Sequence, residues 1–143
     1  MSIRCEIVSQ DRLVFQGEAD IVVLPGAEGE MGILPNHSPV LTVLKYGIIT
    51  VRTKGNEEFF TVAGGFAEVQ PDQVTILADS AENVEEIDIQ RAEAAKRRAE
   101  ETLAKGVGPD TDAYLSLQAA LKRSNLRMDA VRKYRSSRPR SSG

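Results

Sequence analysis

The pattern of this chain changes at about residue 84, and that change limits what it can fold into. From residue 2 to about 80, short runs rich in Val, Ile, Thr and Phe are broken by Gly, Pro, Asn and Asp. Residues 19–24, 40–44, 48–53, 58–63, 66–70 and 73–78 read as strands. The breaks at Pro25-Gly26, Pro35-Asn36, Tyr46-Gly47, Gly55-Asn56, Gly64-Gly65 and Pro71-Asp72 are turn chemistry. Strands this closely spaced leave no room for crossover helices, which argues against a parallel sheet. A small antiparallel sandwich or barrel is the economical solution.

Beyond residue 84 the spacing becomes helical. Ala92, Ala95, Ala99 and Leu103 recur on one face of a segment full of good helix formers. Lys105-Gly106-Val107-Gly108-Pro109-Asp110 must end that helix, and Asp110 or Thr111 then caps a second one. In the second helix Tyr114, Leu117, Leu121, Ser124, Met128 and Val131 form a narrow apolar seam suited to one partner helix. Two helices joined by a short turn make an αα-hairpin. An alanine seam buries little area, and at about 25 cal/mol per Å² it stabilises far less than a leucine seam. The hairpin is therefore expected to be marginally stable alone. The sequence predicts an α+β chain with a β-sandwich over 1–84, a helical hairpin over 85–134, and a disordered basic tail over 135–143.

The net charge of −3 hides a split. Residues 1–84 hold 5 basic and 12 acidic side chains, and residues 85–143 hold 13 basic and 9 acidic. Within 122–140, Lys122, Arg123, Arg127, Arg132, Lys133, Arg135, Arg138 and Arg140 oppose only Asp129. Such asymmetry suggests two segments with different partners. The basic stretch does not read as a nucleic-acid site: only Tyr134 is interleaved for stacking, and the acidic sheet half would repel a phosphate backbone. Cys5, the single cysteine, sits in an alternating strand pattern and reads as a small buried residue. No apolar stretch approaches the roughly 20 residues of a membrane span, and no signal-peptide core opens the chain. A soluble, cytosolic protein is expected, attached to any membrane only through others.

Catalytic signals are lacking. His37 is the only histidine and lies in a turn, no phosphate-binding loop motif occurs, and the carboxylates are scattered. No catalytic residue, metal or required cofactor is expected. Two other groupings stand out. In Gly29 to Pro39, two glycines bracket Glu30-Met31 and Ile33-Leu34-Pro35 would anchor the loop to the core. It would present Glu30 for docking, or be simply a well-made turn with a solvated Glu30. In the helical half, Asp88 and Arg91 open the first helix and Arg98 lies two turns on. Folding the hairpin about Gly108 brings Arg123 and Arg127 to the level of Arg91. Three or four guanidinium groups near one carboxylate would welcome a polyphosphate. Alternatively, Asp88 caps the helix and the arginines are solvated or paired with Glu93, Glu100 and Glu101.

Four segments in order carry a family resemblance: Gly29-Glu30-Met31-Gly32-Ile33-Leu34-Pro35-Asn36-His37-Ser38-Pro39, Val62-Ala63-Gly64-Gly65-Phe66-Ala67-Glu68-Val69, Val74-Thr75-Ile76-Leu77-Ala78 and Ile87-Asp88-Ile89-Gln90-Arg91-Ala92. With the hairpin that follows, the chain resembles bacterial epsilon subunits of the F-type ATP synthase over about residues 2–134.

The resemblance implies an antiparallel ten-stranded β-sandwich followed by two antiparallel helices. It implies a non-catalytic rotor subunit, bound to the gamma subunit and the c-ring on the cytoplasmic face of the bacterial plasma membrane. Glu30 falls where family members face the c-ring and His37 near the contact with gamma. The hairpin would be regulatory: folded down, or extended into the catalytic head, where it blocks ATP hydrolysis. Extended, its basic residues Arg123, Arg127, Arg132 and Lys133 would meet an acidic segment of a beta subunit. The motif Ile-Asp-x-x-Arg-Ala, here Ile87, Asp88, Arg91 and Ala92, is similar to one that helps some members bind ATP as a regulatory ligand. The family's supporting positions fall on Glu82, Arg98, Arg123 and Arg127. The tail Arg135 to Gly143 and the glycine-rich turn Gly106 to Pro109 depart from the family pattern.

Overall fold

In the computed structural model, residues 1–10, 12–109 and 111–135 are described. The chain divides into two compact units, Met1–Val84 and Glu85–Gly143. The first holds ten strands: β1 (Ile3–Ser9), β2 (Arg12–Ala19), β3 (Ile21–Gly26), β4 (Gly29–Ile33), β5 (Val40–Leu44), β6 (Gly47–Thr53), β7 (Asn56–Val62), β8 (Gly65–Val69), β9 (Gln73–Ala78) and β10 (Ala81–Asn83). A 3₁₀ turn, Val84–Glu86, follows.

The strands hydrogen-bond in the order β10-β7-β6-β3-β5-β8-β9-β1-β2, and β4 adds to β3. The ends of this order meet, since β10 lies against β1 and β2, and β2 also approaches β6. The sheet thus closes over one core. Alternation puts Ile3, Cys5 and Ile7 of β1 inside, with Val74 and Ile76 of β9, Ile49 and Val51 of β6, and Phe60 and Val62 of β7. Phe15 tilts against Phe60 with ring centroids 5.3 Å apart. Burial pushes the Cys5 thiol up to about 12, with Glu6 adding to the shift, so the thiol stays neutral in the core.

Three features of the sandwich differ from the sequence expectation. The β1–β9 ladder is parallel, while the other ladders among the described residues are antiparallel. Parallel pairing is open to β1 and β9 because most of the sandwich lies between them in sequence. The segment expected as a loop from Gly29 contains β4, which pairs with β3 from Val22↔Ile33 to Gly26↔Gly29. Its hairpin turn depends on glycine at both ends: Gly29 has φ +141°, and a Cβ at Gly26 would sit 2.7 Å from the Gly29 carbonyl. Leu34 is exposed rather than anchoring, so Ile33 alone of the Ile33-Leu34 pair enters the core.

The second unit is a helical hairpin: α1 (Ile89–Ala104), α2 (Asp112–Ala130) and a π-helical turn, Val131–Arg135. The helices α1 and α2 pack side by side. Gly106, at φ +89°, stops α1 and donates its N–H to the Leu103 carbonyl at 3.1 Å. Thr111 caps α2: its Oγ1 accepts from the Tyr114 N–H at 3.1 Å and donates to the Gly108 carbonyl at 2.7 Å. Asp110, the other candidate cap, lies outside the described residues, as do residues 136–143 of the expected tail. Arg135, assigned to that tail, completes the π-helical turn. Among the described residues, no helix is long and apolar enough to cross a membrane.

The tightest backbone approach is at Gly65. Its φ is +122°, and a Cβ there would lie 2.3 Å from the Leu77 carbonyl oxygen of the neighbouring strand. Gly65→Ala is expected to destabilise the sandwich by about 3 kcal/mol. Gly55→Ala, where φ is +85° but space is open, should cost about 1 kcal/mol. Urea unfolding of the two variants checks the order.

Candidate functional site

The sandwich carries an apolar face that should not be there if it were merely solvated. On β5, Leu44 is buried while Leu41 and Val43 point outward, 68% and 63% exposed. Residues paired across adjacent strands share a face. Val43 pairs with Phe66, Phe66 with Leu77, Leu77 with Val8, and Val8 with Leu13. One apolar row therefore crosses β5, β8, β9, β1 and β2. Its largest members, Phe66, Leu77 and Leu13, are 45%, 42% and 53% exposed. Three shallow grooves adjoin the row: two share its β5 end, one lined by Glu28, Glu30, Met31 and Leu41 and the other by Pro39, Leu41 and Glu68, and a third lies over Val8, Phe66 and Leu77 beside Gln10 and Asp79. Acidic and amide side chains thus rim an apolar centre, the layout of a protein-docking surface. Sequence reading missed this row because only β5 is apolar on both faces, while β8, β9 and β1 alternate and each contributes one apolar residue, Phe66, Leu77 or Val8, beside outward Glu68, Gln73, Thr75, Arg4 and Glu6.

Glu30 is exposed on β4, in the groove beside Leu41, and β4 pairs only with β3 among the described strands. His37 is half-buried in the turn after β4. Its backbone N–H donates to the Leu34 carbonyl at 3.2 Å, and its Nδ1 lies 2.7 Å from the Ser38 carbonyl. That carbonyl can only accept, so the proton sits on Nδ1 and Nε2 is left to accept. Glu82 is on β10, where its carbonyl accepts from Thr61 Oγ1 at 3.5 Å.

In the helical unit Asp88 is the N-cap of α1. Its backbone is extended (φ −84°, ψ 100°), and its Oδ1 accepts the Arg91 backbone N–H at 3.1 Å. Structure therefore brings Asp88 and Arg91 together through the main chain. Ile87 and Ala92 on either side are buried. Arg91, Arg98 and Arg123 are exposed, and among the described residues no ion pair joins them to Asp88. Arg127 is half-buried.

The four arginines follow one rule of placement. Arg91 and Arg98 each precede a buried alanine, Ala92 and Ala99. Arg123 precedes the buried Ser124, and Arg127 precedes the half-buried Met128. One step along a helix turns about 100°. In antiparallel helices that face each other, a backward step from either seam turns toward the same side. All four arginines are therefore set on one side of the hairpin, with Arg123 and Arg127 near the level of Arg91. Such a flank can receive a polyanion through charge-assisted, bidentate hydrogen bonds. At the far end of α2, Arg132 pairs with Asp129 at 2.5 Å, and Lys133 Nζ lies 5.5 Å from the Tyr134 ring centroid.

Two family models together match residues 2–132. Residues 2–84 match the beta-sandwich domain of the ATP synthase delta/epsilon chain, and residues 85–132 match its long alpha-helix domain. The chain belongs to the ATP synthase delta/epsilon family. It is 45% identical to the ATP synthase epsilon chain of Dehalococcoides mccartyi over 133 residues, covering 93% of this chain and 94% of that one. It is 52% identical to that of Pelotomaculum thermopropionicum over 102 residues, covering 71% and 76%. Among solved structures it resembles a chain of the Euglena gracilis mitochondrial ATP synthase, OSCP/F1/c-ring, with TM-score 0.74, 28% identity, and coverage of 91% and 81%. A chain of the Tetrahymena thermophila mitochondrial ATP synthase central stalk/c-ring shares the fold at TM-score 0.57 and 14% identity, covering 91% and 96%.

The Asp88 cap yields a direct expectation. Asp88→Ala should cost α1 about 1 kcal/mol, while Asp88→Asn, which keeps an accepting oxygen, should cost much less. Hydrogen exchange of the Arg91 amide reports the difference.

Proposed function

We propose that this chain is the epsilon-type central-stalk subunit of an F-type ATP synthase, a non-catalytic rotor part that couples rotation to ATP synthesis and restrains ATP hydrolysis. The observation that carries this reading is the apolar row from Val43 to Leu13 on the sandwich. On a family member, a rotor-attachment face is what such a row supplies: apolar area to bury against the gamma subunit, with Glu30 in the adjoining groove toward the c-ring and His37 near gamma. The complex holds the subunit peripherally at the cytoplasmic face of the membrane. In the second unit, the extended hairpin would carry Arg123, Arg127, Arg132 and Lys133 to a beta subunit.

The arginine flank supports a regulatory role for ATP. Arg91, Arg98, Arg123 and Arg127 would hold the triphosphate, with Ile87, Asp88 and Ala92 shaping the start of α1 and Glu82 as a supporting residue. ATP shifts the hairpin toward the folded state only through a preference for that state. No further cofactor is required, and nucleic acid is not a partner. A second reading, the same subunit without physiological ATP binding, is favoured by one observation: the Asp88 carboxylate is already engaged as a helix cap.

Two measurements separate these readings. Phe66→Asp puts a charge at the centre of the row without entering the core, and should weaken binding to the gamma subunit by about 100-fold. Unchanged binding would remove the docking face. In calorimetry on the isolated chain, Arg91→Ala or Arg127→Ala should weaken ATP binding by about tenfold. No binding by the wild type at millimolar ATP would leave only the second reading.

A further inference from the structure

Arg135 makes a contact that the family match does not cover. The helical-domain model ends at residue 132, and Arg135 lies beyond it, in the π-helical turn that finishes α2. Its Nη2 donates to the Ile87 carbonyl at 2.8 Å across 48 residues of sequence, and its Nε lies 3.9 Å from the Glu85 carboxylate. The side chain is 29% exposed and its Nε is buried.

The acceptor is informative. Ile87 is buried and immediately precedes the Asp88 cap, so its carbonyl stands outside the α1 hydrogen-bond ladder. A buried carbonyl needs a donor. The charged guanidinium supplies one, and a hydrogen bond from an ionised donor is stronger than a neutral one. The π-helical turn underwinds the end of α2 and changes where its last side chain points. One residue thereby ties the last turn of the second helix to the segment that starts the first. The seam between the helices holds buried Ala92, Ala99, Ser124 and Ala130, which contribute little area, so a single strong polar contact at the open end of the hairpin carries weight.

We propose that Arg135 is a latch that holds the hairpin shut at the end opposite its turn, by bonding the Ile87 carbonyl with Glu85 as a weak electrostatic aid. Opening the hairpin requires this contact to break first. The latch deepens the regulatory reading above and rests on it only for its consequence, since the closed state can be measured in the isolated chain.

The test is hydrogen exchange on the full chain. Arg135→Ala should raise exchange by about tenfold in residues 85–92 and 128–135, while the helix ends at the turn, near residues 102–115, change little. Arg135→Lys, which keeps the charge and loses the planar fork, should fall between. Glu85→Gln should have a small effect, as expected at 3.9 Å. Unchanged exchange in residues 85–92 for Arg135→Ala would overturn the latch, and so would a uniform rise across both helices, which signals general destabilisation. ATP hydrolysis by the complex carrying Arg135→Ala separates the two claims. Faster local exchange with unaltered inhibition would keep the latch and sink the regulatory reading.

Discussion

The structure depends on an uneven distribution of buried apolar area. The sandwich closes over Ile, Val, Leu and Phe side chains, among them Ile3, Ile7, Leu24, Ile33, Ile49, Phe60 and Ile76, each fully buried. Such a side chain contributes about 1.5–3 kcal/mol on burial, against roughly 0.8 for a methyl group. The hairpin buries alanine and serine where the sandwich buries isoleucine. Ala92, Ala99, Ser124 and Ala130 are its most enclosed helical positions, while Leu117, Leu121 and Met128 are only half-covered. A firmly packed sandwich and a weakly packed hairpin follow from that difference in residue choice.

Polar contacts at the helix ends then matter more than they would in a leucine-rich bundle. The Asp88 and Thr111 side chains cap the two helices, Gly106 stops the first, and Arg135 closes the open end. The capping contacts are local, that of Arg135 reaches across 48 residues, and each sits where the chain enters or leaves a helix. The arginines on one flank, of which Arg91, Arg98 and Arg123 are exposed, add an anion-receptive surface.

Much of this was legible in the sequence. Strands over 40–44 and 73–78 were read with their observed bounds, because β-branched runs there end in unmistakable turns. The helical seam in α2 follows the expected positions from Tyr114 to Val131, all buried or half-buried. Local signals failed where pairing decides the outcome. Gly29–Ile33, with two glycines in five residues, has a loop's composition and becomes a strand only because β3 supplies a partner. The strand β2 is an edge strand with Leu13 outward, so its alternation is blurred. The parallel register of β1 on β9 joins residues about 70 apart, which no window can see. At the helical site, spacing put the arginines on one flank and offered Asp88 as a cap, which the structure shows, but the reach of Arg135 depends on backbone geometry. The apolar row was overlooked because outward Leu41, Val43, Phe66 and Leu77 look like core until the pleat assigns their face.

The uneven burial implies that the hairpin opens while the sandwich stays folded. Native-state hydrogen exchange at increasing sub-denaturing urea tests it most directly. The account predicts that amides of α1 and α2 exchange together through an opening of low free energy and small urea dependence, while those of β1, β8 and β9 stay protected until global unfolding. A single opening free energy and a single urea dependence shared by helices and strands would contradict it.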